Sequence, residues 1–171
     1  MPPPFCDIEL LLLDVDGVLT DSSIVYTDAG EQIKSFNSKD GLGLRLLMDA
    51  GIGVGIITGR SSKALEHRCQ NLGITLVFDG IKDKARALDT ISEQTGISPT
   101  KMAYVGDDLI DLPVLTRVGL SCCVADAASE VKTHCDIITR NRGGQGAVRE
   151  ICESILKAKG LWHRIVDSFL S

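Results

Sequence analysis

The sequence predicts an α/β protein built on a parallel sheet with helices on both faces, and three observations carry that expectation. Apolar runs of strand length alternate with helical patterns, glycines stand at the junctions, and polar residues gather directly after the apolar runs. The first run, residues 8–13, is broken only by Glu9 and ends in Asp14-Val15-Asp16-Gly17, as a buried parallel strand opening into a loop does. Two short β-like stretches, 24–27 and 32–36, flank Asp28-Ala29-Gly30, whose turn chemistry predicts a small β-hairpin insertion over about 23–36.

Beyond the hairpin the rhythm is regular. Helices are expected at 42–50, 63–72, 84–94, 108–117, near Val131 and at 146–158, and strands at 54–58, 76–78, 102–105, 121–124 and 137–139. This is a Rossmann-like alternation, with Gly51, Gly73, Gly96 and Gly119 where helix ends and turns favour a positive φ. Gly143-Gly144-Gln145-Gly146 reads as a flexible loop before a helix whose apolar stripe is Val148, Ile151, Cys152, Ile155 and Leu156. The expectation is one domain over 1–171, with a C-terminal helix and tail over about 146–171.

Bulk properties narrow the function classes. With 44% hydrophobic and 24% charged residues the chain suits a packed core rather than disorder. A net charge of -5 argues against a nucleic-acid or membrane-surface binder, so an anionic substrate would have to be drawn by local Arg and Lys. Six scattered cysteines show no zinc-like spacing and read as reduced thiols. The start, Met1-Pro2-Pro3-Pro4-Phe5-Cys6-Asp7, lacks the pattern of a signal peptide, and no apolar run reaches membrane-spanning length, so a cytoplasmic location is expected.

In an open parallel sheet, ligands collect beyond the carboxyl ends of the strands. Four places meet that condition. Asp14 and Asp16 offer two carboxylates, one suited to nucleophilic attack or metal binding and the other to acid/base work. Thr58-Gly59-Arg60 offers a hydroxyl, an open backbone and a guanidinium, all suited to phosphate oxygens. Lys84, with Lys82 as its competitor, can balance phosphate and carboxylate charge. Gly106-Asp107-Asp108 with Asp111 can complete an oxygen-rich magnesium site. Each has a plainer reading alone, as a helix cap, a turn or a solvated charge. Their joint occurrence in order favours one shared site.

In these segments, Asp14-x-Asp16-Gly17, Thr58, Lys84 and Gly106-Asp107-Asp108-x-x-Asp111, the chain resembles the haloacid dehalogenase superfamily over almost its whole length. More narrowly, it is similar to the 3-deoxy-D-manno-octulosonate 8-phosphate phosphatases. The motifs are Asp14-Val15-Asp16-Gly17-Val18-Leu19-Thr20-Asp21, Asn37-x-x-Asp40-Gly41, Gly106-Asp107-Asp108-Leu109-Ile110-Asp111-Leu112-Pro113 and Gly143-Gly144-x-Gly146-Ala147-Val148-Arg149-Glu150.

The resemblance implies a magnesium-dependent phosphatase of lipopolysaccharide precursor synthesis. Asp14 attacks phosphorus, Asp16 protonates the leaving oxygen and later activates water, and Thr58 and Lys84 stabilise the phosphoryl group. Mg2+ is expected on Asp14, the Asp16 carbonyl and Asp107, with Asp108 and Asp111 in support. Substrate contacts are expected from Asp16, Asn37, Asp40, Gly41, Arg45, Gly59, Arg60, Arg68 and Lys84, although Arg45 and Arg68 also read as a solvated helix face. Two alternatives stand beside this: a nine-carbon acidic sugar 9-phosphate as substrate, or a non-catalytic oligomerisation module. The hairpin is too short to shield a pocket, and relatives without a cap are homotetramers whose subunits cover each other's sites. Ser22 stands where the family usually has glycine, and the tail 161–171, with Trp162, His163 and Phe169, is unlike its short polar ends.

Overall fold

Four consecutive leucines form β1 (Leu10–Leu13), buried on both sides as a central parallel strand requires. The computed structural model describes residues 4–171; residues 1–3, where the expected domain and the chain start begin, lie outside the described part. After β1 come β2 (Val25–Tyr26) and β3 (Gln32–Ile33), paired antiparallel as a ribbon shorter than expected, with Tyr26 opposite Gln32. The chain continues through α1 (Ser38–Asp49), β4 (Gly53–Ile57), α2 (Lys63–Leu72), β5 (Leu76–Phe78) and α3 (Lys84–Thr95). It closes with β6 (Met102–Gly106), α4 (Leu112–Leu115), β7 (Leu120–Cys123), α5 (Ser129–Lys132), β8 (Ile137–Ile138), α6 (Ala147–Ala158) and α7 (Trp162–Leu170).

The main sheet has six strands in the order β5-β4-β1-β6-β7-β8, all pairs parallel. Leu13 lies opposite both Ile56 and Val105, so β1, β4 and β6 end together. From β1 the chain winds to one edge at β5, crosses back to β6 and winds to the other edge. The direction therefore reverses beside β1, and a crevice opens past the carboxyl ends there. α1 packs on α2 and α6, and α3 on α4, which with right-handed crossovers covers both faces. The expected stripe of α6 is fully buried.

Two helices differ from the expected bounds for identifiable reasons. α1 begins at Ser38 because Asn37 caps it, its Oδ1 accepting from the Lys39 N–H at 2.8 Å and the Asp40 N–H at 3.2 Å. The helix expected over 108–117 is a 3-10 turn, Leu109–Asp111, followed by the four-residue α4. Pro113 supplies no N–H, and the Asp111 carboxylate turns back onto the preceding backbone. The tail folds as α7, none of whose residues is buried. Among the described residues no helix is long and apolar enough to cross a membrane, and all six cysteines are unpaired.

Candidate active site

The turn after β1 is shaped by two close backbone approaches. The Asp14 N–H donates to the Val105 carbonyl at 3.0 Å, keeping Asp14 in sheet register at the strand end. Gly17 has φ +91°, and a Cβ there would stand 2.0 Å from Asp107 Oδ2, so glycine admits both the conformation and the neighbouring carboxylate. Gly143 presses on the same turn: a Cβ on it would lie 1.8 Å from the Gly17 carbonyl oxygen, and the Gly144 N–H donates to the Val18 carbonyl at 2.9 Å. The glycine loop before α6 therefore buttresses the turn that carries Asp14 and Asp16.

Beneath Asp14 lies a buried charge network. Lys84 opens α3, where the helix dipole disfavours a cation, and carboxylates offset that penalty. Its ammonium lies 3.1 Å from Asp14 Oδ1 and donates to Asp111 Oδ1 at 2.7 Å and to the Tyr104 hydroxyl at 3.2 Å. The Tyr104 hydroxyl donates to the same Asp111 oxygen at 2.6 Å. Asp111 Oδ2 accepts from the Asp107 and Asp108 N–H groups at 2.9 and 3.2 Å. Lys82, the competing lysine, is exposed. Asp108 is also exposed and caps the following turn, accepting from the Leu109 N–H at 2.7 Å.

One lysine does not neutralise this cluster. Burial, and then the Asp111 charge, raise Asp14 from 3.8 to about 6 against the opposing pull of Lys84. Burial followed by Asp111, Asp14 and Asp108 raises Asp107 to about 8. Asp14, Asp107 and Asp111 can each turn a carboxylate oxygen to within 4.8 Å of the others. Since both Asp111 oxygens are already engaged, Asp14 and Asp107 remain as donors. Oxygen ligands around an excess of negative charge fit a small, hard divalent cation.

Above this floor is a cleft of about 530 Å³ lined by Asp14, Asp16, Ser22, Thr58, Gly59, Arg60, Asp107 and Asp108, among others. Thr58 directly follows β4 and is buried; Arg60 is exposed at the rim. Ser22 has φ +72°, a left-handed conformation that glycine adopts without the steric cost a side chain adds. Lys34, which sequence reasoning missed, donates from its ammonium to Asp16 Oδ1, while Arg60 Nε lies 3.7 Å from Asp16 Oδ2. Gln32, Lys34 and Phe36 alternate inward while Ile33 and Ser35 face out. The alternation was legible, but polarity alone assigns those faces the other way. Tyr104 carried a weaker signal, a polar tip within an apolar strand just before Asp107.

The remaining expected residues are brought together elsewhere and do not line the cleft. Asp40 is 1% exposed; its Oδ1 accepts from the Arg149 N–H at 2.8 Å, serving the first turn of α6, and its Oδ2 is buried without a partner. Gly41 leaves room for Arg68, whose Nη2 donates to the Asn37 carbonyl at 3.0 Å and whose guanidinium lies over the Phe36 ring. Arg45 is exposed and donates to the Asn71 carbonyl.

Residues 77–151 match the haloacid dehalogenase-like hydrolase family. The 3-deoxy-D-manno-octulosonate 8-phosphate phosphatase KdsC of Escherichia coli K12 is 49% identical over 154 residues, covering 90% of this chain and 82% of that protein. The phosphatase of the same description from Yersinia pestis has a crystal structure with TM-score 0.90 and 45% identity, covering 92% of this chain and 85% of that one. Its counterpart from Moraxella catarrhalis, solved with a magnesium ion, a phosphate ion and a KDO molecule, has TM-score 0.94 and 40% identity, covering 96% of this chain and 95% of that one. With its fold and its sequence both shared with these proteins, the chain belongs to the haloacid dehalogenase-like hydrolases, within the family of 3-deoxy-D-manno-octulosonate 8-phosphate phosphatases.

Proposed function

We propose that this chain, acting as one domain, hydrolyses 3-deoxy-D-manno-octulosonate 8-phosphate to the free sugar acid and phosphate, in lipopolysaccharide precursor synthesis in the cytoplasm. The observation that carries the reading is the Asp14–Lys84 pair facing Asp107, in a chain 49% identical to a phosphatase named for that substrate. Asp14 attacks phosphorus, forming an Asp14 oxygen–phosphorus bond as the bond from phosphorus to the sugar oxygen breaks. Asp16 gives a proton to the departing sugar oxygen. It then takes one from the water that attacks the aspartyl-phosphate, releasing phosphate and restoring Asp14.

Lys84 holds positive charge 3.1 Å from the Asp14 carboxylate, which supports the ionised nucleophile in its buried setting. Thr58 and the Gly59 backbone meet phosphoryl oxygens, and Arg60 meets the sugar acid at the rim. A magnesium ion held by Asp14, Asp107 and the Asp16 carbonyl supplies charge against the phosphoryl oxygens. The positions of Asn37, Asp40, Gly41, Arg45 and Arg68 away from this cleft suit a homotetramer. In it, the two arginines serve a substrate in an adjoining subunit, while Asn37, Asp40 and Gly41 hold the segment that presents them.

The test is phosphate release from a panel of acidic and neutral sugar phosphates, with and without magnesium, for wild type and Asp14→Asn. Magnesium-dependent preference for the eight-carbon sugar acid phosphate is expected. A variant as active as wild type would sink the mechanism, and inactivity on every acidic sugar phosphate would favour an assembly role.

A further inference from the structure

The ribbon formed by β2 and β3 turns its apolar residues outward and a charge inward. Val25, Tyr26 and Ile33 are 47%, 55% and 53% exposed, whereas the Lys34 side chain is 3% exposed. A buried ammonium is costly unless paired, and among the described residues the only carboxylate paired with Lys34 is Asp16.

The dependence runs in the other direction as well. Asp111 is held from several sides, by the Asp107 and Asp108 N–H groups, Lys84 and Tyr104, and the buried Asp14 lies 3.1 Å from the buried Lys84 ammonium. Asp16 accepts no hydrogen bond from its own loop among the described residues: its Oδ1 takes the Lys34 ammonium, and its Oδ2 faces the long, rim-exposed Arg60 side chain at 3.7 Å. The orientation of this carboxylate is therefore set from the ribbon.

We infer that Lys34 is a positioning residue for the reaction, holding Asp16 where it can pass a proton to the leaving sugar oxygen. The inference rests on the proton-transfer role proposed above for Asp16. It makes the ribbon part of the chemistry, since a displacement of β3 carries the Asp16 carboxylate with it. A general acid works only within hydrogen-bond reach of the leaving atom, and small misplacements there are expensive in rate.

The leaving group separates this role from others. A sugar alkoxide is strongly basic and needs the proton, whereas p-nitrophenolate leaves readily without one. Lys34→Met, Lys34→Gln and Lys34→Arg are compared with wild type on 3-deoxy-D-manno-octulosonate 8-phosphate, a neutral sugar phosphate and p-nitrophenyl phosphate, with melting temperatures as the folding control. In Lys34→Met the ratio of the first-turnover rate of leaving-group release from the sugar phosphates to that from p-nitrophenyl phosphate, which reads aspartyl-phosphate formation before the shared hydrolysis step, is expected to fall about 30-fold, within the contribution of a general acid. KM stays within about twofold in the same variant, and Lys34→Arg recovers part of the ratio. Lys34→Gln carries the same test if Lys34→Met does not fold. An unchanged ratio, or a raised KM on the acidic sugar with kcat retained, overturns the inference and leaves the proposed function standing. A wild type inactive on every sugar phosphate overturns both.

Discussion

Asp14, Lys84, Tyr104 and Asp111 are at most 4% exposed at the sheet's carboxyl edge, whereas the β2–β3 ribbon leaves its apolar residues about half exposed and meets Asp16 through Lys34. On the floor, each charge has partners within one chain, from strands whose register is set by the core. On the ribbon, two residues in each strand pair and the outer face is uncovered. A two-stranded ribbon is marginal by itself, so its position depends on what it docks against. The contrast is between a floor whose charges are paired within the core and a ribbon that reaches the cleft through one lysine.

The strongest way to break this comparison is at the floor. Asp14→Asn is expected to lower kcat about 10⁴-fold or more in steady-state phosphate release while leaving the fold intact, because the proposed nucleophile is lost and a neutral amide relieves a crowded cluster. Asp111→Asn is expected to cost about 3–5 kcal/mol in denaturant unfolding, since it disrupts the buried partner of Lys84 and Tyr104. A loss within experimental error there would mean the floor is less integral than its bonds imply.

The titration of the floor gives a third measurement. Asp14 and Asp107 are raised from 3.8 to about 6 and about 8, so between these values the folded state holds more protons than the unfolded one. Stability in the presence of a chelator is therefore expected to fall as pH rises from about 4 to about 8, a tenfold difference in proton affinity between the two states being worth about 1.4 kcal/mol. Excess magnesium favours the ionised carboxylates and should raise the melting temperature most near pH 8. A magnesium effect independent of pH would place the ion elsewhere.

The smallest expected effect lies at the edge of the cleft. Ser22→Gly releases a left-handed backbone from its side chain and should add about 1 kcal/mol of stability in urea unfolding. A loss would show that the serine hydroxyl contributes more than its conformation costs.

Much of the site was legible because strand ends are legible. Asp14, Thr58 and Asp107 follow apolar runs in parallel strands, and a parallel sheet sends such residues to one edge. Lys84 was legible by its place at a helix start between two such strands. The break at Pro113 was written in the chain too, but the pull of the Asp111 carboxylate back onto the 107–108 backbone was not. Nor was the inward turn of Lys34, since its acceptor lies 18 residues away in sequence.

By itself, then, the sequence determined the alternating order of strands and helices, the parallel sheet, the family and the acidic floor, because apolar periodicity and motif spacing act along the chain. The tertiary structure decided which oxygens of Asp111 are taken, that Asp40 serves α6, that Arg45 and Arg68 stand away from the cleft, and that a ribbon lysine holds Asp16. The physical reason is that burial and pairing of a charge depend on neighbours distant in sequence, which appear only once the chain has folded.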